Sequence, residues 1–253
     1  MAKKIVIEDR EWEKEENKYK YCEALEDGNI LFFPSLPFLL PKEKGMKEFL
    51  PAFLSPYQSN FRSLQEKGGK RRERRGILHL DAFAASPLHG ARILRFFINM
   101  SPADEGKHWV TADGFEDLAK AYGETVSIPP TVNYSLKSRI GRKFMKLLRS
   151  SGIKIPIRSP YDTFMLKMNR FLKENKEFQE NCKKDYWEFP PGSCWVLFAD
   201  QVSHTAIDDP YVIEETFVIP QHVLLCPEKS PASILERMSG RNLINPEFFC
   251  EKN

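Results

Sequence analysis

Gly76-Ile77-Leu78-His79-Leu80-Asp81-Ala82-Phe83 places a His and an Asp two residues apart inside an apolar run. The run reads as a β-strand, and at strand periodicity the side chains of His79 and Asp81 point to the same face. An imidazole nitrogen beside a carboxylate oxygen supplies two ligands of a facial His-x-Asp…His site, the pattern that holds non-haem Fe(II) and leaves coordination positions open. By itself the pattern is weak, because a buried His paired to an Asp is a common structural unit. The metal reading requires a third ligand, a His far downstream.

Downstream, Glu188-Phe189-Pro190-Pro191-Gly192-Ser193 reads as a tight turn and Cys194-Trp195-Val196-Leu197-Phe198 as a buried strand. They lead into Asp200-Gln201-Val202-Ser203-His204. Of the five His, His89 falls in a turn, His108 in a polar loop before Trp109, and His222 after a strand ending at Pro220. His204 combines the strand setting with a separation of 123 residues from Asp81. Double-stranded β-helix oxygenases place their last iron ligand in such a setting. The competing reading is a core His satisfied by hydrogen bonds.

Immediately upstream of His79, residues 66–75 form a Gly-containing basic loop with six Lys and Arg, including Lys70, Arg71, Arg72, Arg74 and Arg75. It is either a solvated surface or a positive field that draws an anionic substrate toward the site. Beyond the His-x-Asp run, Arg92-Ile93-Leu94-Arg95-Phe96-Phe97-Ile98-Asn99 reads as a second strand. Arg95, Phe97 and Asn99 share one face, and Arg92, Leu94, Phe96 and Ile98 the other. A strand apolar on both sides is central, so Arg95 meets either a buried carboxylate of the protein or the carboxylate of a small ligand.

Between Glu124 and Asp162 there is no acidic residue but eight Lys and Arg. Written as a helix, residues 137–149 gather Ile140, Phe144, Leu147 and Leu148 on one arc and bases such as Arg142 and Lys146 on the other. Such a helix either docks on the core or lies on an anionic lipid surface. Ser159-Pro160-Tyr161-Asp162 reads as the start of a helix running to about residue 182. Residues 8–20 read as a solvated helix or a mobile N-terminal arm, and the Pro, Phe and Leu of residues 34–56 as irregular structure packed on a core.

With 253 residues and a net charge of +3, one large domain is expected, and the distribution of charge says more than its sum. Five widely spaced Cys with no CxxC pair argue against a disulfide framework and a structural zinc site, and a reducing cytoplasm suits them. No signal peptide and no run of about 18 apolar residues is found, so a soluble or peripherally bound protein is expected.

The runs Leu78-His79-Leu80-Asp81-Ala82-Phe83, Gly90 to Asn99, Tyr161-Asp162-Thr163-Phe164-Met165-Leu166, the Pro-Pro-Gly-Ser turn, Asp200 to His204 and Glu215-Thr216-Phe217 together resemble the Kdo hydroxylase family. The resemblance extends from Asp27 to Pro220. It implies a mainly β fold with helical additions (α+β) around a double-stranded β-helix, jelly-roll or cupin-like core. The domain would span residues 1–253, with an N-terminal arm to about residue 25 and a helical insert at about 112–182. It implies a dioxygenase dependent on Fe(II), 2-oxoglutarate and O2, hydroxylating C3 of Kdo in Kdo-lipid A, part of lipopolysaccharide, to give Ko, succinate and CO2. His79, Asp81 and His204 would be the iron ligands.

Many such oxygenases bind the distal carboxylate of 2-oxoglutarate with a base about ten residues after the last His, but residues 208–216 hold none. Other members of the superfamily use a base on the strand after His-x-Asp, which implies Arg95 first, Arg92 second, and Asn99 and Thr216 as supporting donors. An anionic, membrane-anchored substrate also suits the two basic stretches, placing the enzyme at the cytoplasmic face of the inner membrane with no nucleic-acid partner. Fold alone leaves a 2-oxoglutarate oxygenase for another substrate open. A non-catalytic cupin-like binder of anionic sugars or lipids is the reading from another class. A zinc hydrolase is weaker, since no additional Glu motif offers a general base.

Overall fold

All eight residues of Arg92–Asn99 are buried, as a strand must be when it is paired on both edges and covered on both faces. The computed structural model describes residues 2–8, 10–36, 49, 52–57, 62–63, 75–101, 106–128, 158–207 and 211–244. Their strands are β1 (Lys4–Val6), β2 (Ile30–Phe33), β3 (Arg62–Ser63), β4 (Arg92–Asn99), β5 (Lys107–Gly114), β6 (Asp185–Phe189), β7 (Cys194–Phe198), β8 (Val202–Ala206) and β9 (Val212–Ile219). One sheet runs β1-β2-β7-β4-β9-β3 and the other β6-β5-β8. Only the β1–β2 pair is parallel. The architecture is mixed α/β, mainly sheet with helices.

The period-two alternation of β4 separates two cores. Leu94, Phe96 and Ile98 face a cluster containing Leu31, Phe33, Val196, Phe198 and Ile219, covered by α1 (Glu15–Glu26) and by Phe49, Phe53 and Tyr57. The packing expected of the Pro- and Phe-rich stretch holds at these buried residues. On the other face Phe97 joins Ile30, Phe32, Trp195 and Leu197, and this layer meets Trp109, Phe189 and Val202 of the smaller sheet. Helices α2 (Phe115–Val126), α3 (Pro160–Glu174), α4 (Lys176–Asn181) and α5 (Pro231–Ser239) cover the outside of the smaller sheet through Val110, Ala112, Phe164, Met168 and Phe178. Among the described residues, no helix is long and apolar enough to cross a membrane.

Three local expectations change. The N-terminal arm expected to about residue 25 is packed on the domain: β1 pairs with β2, and Ala2, Ile7, Trp12, Cys22 and Leu25 are buried, while of the two readings of residues 8–20 the solvated helix holds from Glu15 onward. The helix expected to run from Ser159 to about residue 182 begins as anticipated, with Ser159 and Asp162 forming a reciprocal capping box. It breaks at Asn175, whose side chain accepts from Phe178 N at 3.1 Å and starts α4. His108 sits on a strand rather than in a loop. The basic helix expected at 137–149 and all of the basic loop at 66–75 except Arg75 lie outside the described residues.

Candidate metal centre

The ligand-bearing run is a strand in only one place. His79 and His204 form an isolated antiparallel bridge, exchanging N–H···O bonds of 3.2 and 3.0 Å. Asp81 N then donates to Ala199 O at 2.9 Å, upstream of β8, so the pairing does not continue as a ladder. The alternation survives: Leu78 and Leu80 turn outward into the helical core, and His79 and Asp81 turn inward between the sheets. On β8 the same alternation turns His204 inward with Val202.

Donor atoms of His79, Asp81 and His204 all lie within 4.8 Å of one another. Among the described residues no other three His, Cys, Asp or Glu side chains gather in this way. His79 Nε2 is 3.5 Å from Asp81 Oδ1, and the two imidazole centroids are 5.1 Å apart. His79 Nδ1 lies 2.9 Å from Ile77 O and His204 Nδ1 lies 2.9 Å from Val202 O. A carbonyl oxygen only accepts, so each Nδ1 carries the proton and each Nε2 presents its lone pair to the centre. Trp109 stacks on His204 at 5.3 Å and 11°, fixing that ring from behind.

Electrostatics agree with a cation-binding role. Burial pushes the His204 pKa down to about 4, only partly offset by Asp81, so the imidazole is neutral at physiological pH. Burial alone would raise the Asp81 carboxyl, but Arg95 and the two imidazoles hold it well below the ordinary range. Two neutral nitrogens and one carboxylate, converging and already oriented, fit a divalent first-row metal.

Arg95 donates through Nε to Asp81 Oδ2 and through Nη1 pairs with Glu214 Oε1. Of the two partners foreseen for a buried Arg, the protein carboxylate is therefore present. Thr216, buried, lies directly opposite Arg95 across the β4–β9 pair. Two other candidates are employed elsewhere. Arg92 is on the opposite face of β4, bonded to Asp200 at 2.8 Å and Gln201 at 2.9 Å with its guanidinium 4.0 Å above Phe198. A one-residue step along a strand reverses the face, so Arg92 and Arg95 cannot serve one inward site. Asn99 shares the inner face but donates to Phe189 O and accepts from Ser101 N, both at 2.9 Å, which ties down the start of the Pro190–Ser193 turn. Sequence reading missed Glu214, although its two-residue spacing from Thr216 placed it on that residue's face. The search there was for a base.

The sequence profile described as 3-deoxy-D-manno-oct-2-ulosonic acid (Kdo) hydroxylase matches residues 45–242. No curated protein matches the chain significantly. Among solved structures, the chain is similar to the Kdo hydroxylase KdoO, a non-haem Fe(II) alpha-ketoglutarate-dependent dioxygenase, in complex with cobalt(II). The identity is 26%, the TM-score 0.77, and the match covers 96% of this chain and 98% of that one. It is equally similar to KdoO in complex with alpha-ketoglutarate and Fe(III), at 27% identity, TM-score 0.76 and the same coverage.

Proposed function

The chain belongs to the Kdo hydroxylase family, and from that premise we propose that it uses Fe(II), 2-oxoglutarate and O2 to hydroxylate C3 of Kdo in Kdo-lipid A. The products are Ko, succinate and CO2. The observation that carries the reading is the convergence of His79, Asp81 and His204 with both Nε2 atoms turned inward. Support also comes from the complexes of similar KdoO structures with cobalt(II), alpha-ketoglutarate and Fe(III). The two facing sheets are the halves of a double-stranded β-helix core, and α2, α3 and α4 belong to a helical insert at about 112–182 within one domain.

His79, Asp81 and His204 hold the metal. Fe(II) held there would supply open coordination positions and the redox chemistry that activates O2, which is the oxidant: one oxygen atom goes to succinate as 2-oxoglutarate loses CO2, and the other becomes the hydroxyl that replaces hydrogen at carbon. The protein's own part is position and shelter. The backbone carbonyls of Ile77 and Val202 hold the Nδ1 protons, keeping both rings in one tautomer. Arg95 keeps Asp81 ionised and oriented, and its guanidinium is the cation offered to the distal carboxylate of 2-oxoglutarate, with the Thr216 hydroxyl beside it. The apolar wall of Phe97, Trp109 and Leu197 limits water. The basic stretches, through Lys70, Arg71, Arg72, Arg74, Arg75, Arg142 and Lys146, meet the phosphates and carboxylates of the substrate at the cytoplasmic face of the inner membrane.

Anaerobic loading with Fe(II) and 2-oxoglutarate, followed by admission of O2 to Kdo-lipid A, tests the whole reading. A metal-to-ligand charge-transfer band lost in His79→Ala, and a gain of one oxygen atom on the sugar, are expected. A band without product rejects the acceptor and keeps the oxygenase; no band leaves the binding-protein reading.

A further inference from the structure

Among the described residues, the segment that carries two of the three metal-binding side chains has a strand neighbour on one edge only. On that inner edge His79 bonds to His204 of the smaller sheet and Asp81 to Ala199 in the turn between β7 and β8. In extended chain the peptide groups of the alternate residues, Leu78 and Leu80, point to the other edge, where no strand of the described residues lies. Two side-chain amides from the helical layer occupy that edge.

Gln179 of α4 accepts from Leu78 N at 2.9 Å and donates to Leu78 O at 2.8 Å, the two bonds a paired strand residue would make. Its Nε2 also donates to Leu172 O at 2.7 Å, so the amide is anchored to the C-terminal turn of α3. Asn169 of α3 donates to Leu80 O, and its Oδ1 accepts from Lys173 Nζ at 2.9 Å, which fixes which end of that amide faces the run. The peptide groups on either side of His79 are thus gripped by two helices while His79 itself is held by β8. Leu78 and Leu80, both buried among those helices, add packing to the grip. None of these contacts involves a metal-binding atom.

We propose that Gln179 and Asn169 are positioning residues for the metal centre, side-chain amides that stand in for a missing strand and set the pitch of residues 78–81 against β8. Metal sites tolerate ligand displacements of only about 0.2 Å. The inner edge holds the run at Gly76, His79 and Asp81, through bonds to Ala206, His204 and Ala199, and a run held along one edge can still tilt about that edge. The second edge stops the tilt and keeps Asp81 and His79 in register with His204. The inference rests on the metal reading above and adds to it the part of the chain that enforces the geometry.

The test uses the full chain and Co(II), read by calorimetric affinity and by the visible ligand-field spectrum, with the thermal midpoint of the metal-free protein measured alongside. Gln179→Met keeps the side-chain length and removes all three hydrogen bonds. Phe178→Leu is its control, a loss of packing on the same helix that leaves the three Gln179 hydrogen bonds in place. Gln179→Met is expected to weaken Co(II) binding about 10- to 100-fold, the range for residues supporting ligands, and to alter the spectrum. Phe178→Leu is expected to lower the midpoint while leaving affinity and spectrum as in the wild type. Gln179→Glu, which keeps the acceptor but loses the donors to Leu78 O and Leu172 O, gives the same readout if the Met variant does not fold. Wild-type affinity and spectrum in a folded Gln179 variant, or equal losses in Phe178→Leu, overturn this inference alone. Absence of Co(II) binding by the wild type overturns the metal reading and takes this inference with it.

Discussion

Arg95 is one guanidinium between two carboxylates, and removing it acts on both. In Arg95→Ala, Asp81 and Glu214 both lose their ion-pair partner, and on the reading proposed above 2-oxoglutarate loses its cation as well. Titration of 2-oxoglutarate into the Co(II)-loaded variant should give affinity at least about tenfold weaker, roughly 1.4 kcal/mol, with Arg95→Lys intermediate because a point charge replaces a fork. Unchanged affinity would remove Arg95 from the co-substrate site. A second residue sets an alkaline limit. Burial pushes the Cys22 thiol up to about 12 from 9.0, and burial also raises Tyr57. The unfolded thiol ionises first, so its contribution is intact below pH 9 and is lost as pH rises toward 12, by up to about 4 kcal/mol. The decline of the urea midpoint above pH 9 should be shallower in Cys22→Ala; an identical decline assigns the loss elsewhere.

Among the elements, β7 carries the largest fully buried side chain. Trp195 stacks on Phe189 at 4.1 Å and 4° and on Phe97 at 5.3 Å and 15°, joining three strands of two sheets around one ring. Its indole N–H meets no acceptor among the described residues. Trp195→Ala should therefore cost about 3–5 kcal/mol in urea unfolding. Trp195→Phe should cost far less, since it keeps a ring in the stack and removes an unsatisfied donor. Equal losses in the two variants would mean that the indole itself, and neither ring stacking nor volume, governs the site. The same strand shows how local patterning positions the centre: a Pro-Pro-Gly turn, five buried residues and a short connection deliver His204 to the inner face.

At the scale of the molecule, a metal at His79, Asp81 and His204 clips together segments 123 residues apart in the chain. Because the unfolded chain has no such site, Co(II) at a hundred times its dissociation constant should stabilise the protein by about 2.7 kcal/mol. The thermal midpoint should rise accordingly, fall back with EDTA, and not respond in His79→Ala. A wild-type midpoint indifferent to Co(II) would argue against a closed triad. The membrane-surface reading of the basic stretches is tested at this scale as well, since the field of a surface sums many charges. Charge reversal at Arg71, Arg72, Arg142 and Lys146 should weaken binding to anionic vesicles, most at low salt. Binding that is unaltered at both low and physiological salt would sink the membrane-surface reading.

The amino-acid sequence by itself determined the features whose physics is local. Two-residue spacing set His79 beside Asp81, the alternation of Arg92–Asn99 divided that strand into two faces, and Ser159 with Asp162 wrote a helix start. Each follows from backbone geometry within a few residues. The approach of His204 to His79 and Asp81 was legible because a turn and a buried strand lead into it. Tertiary structure alone decided which groups meet across strands and edges. Only the β4–β9 register brings Glu214 to Arg95, and only the docking of α3 and α4 puts Asn169 and Gln179 on the open edge of the His79 run. It also paired Lys4–Val6 with β2, docked the helix at Glu15–Glu26 on the core, and gave Arg92 to Asp200. A side chain's direction is fixed by its own φ and ψ, whereas its partner is fixed by whichever distant segment the packing of the whole chain brings alongside.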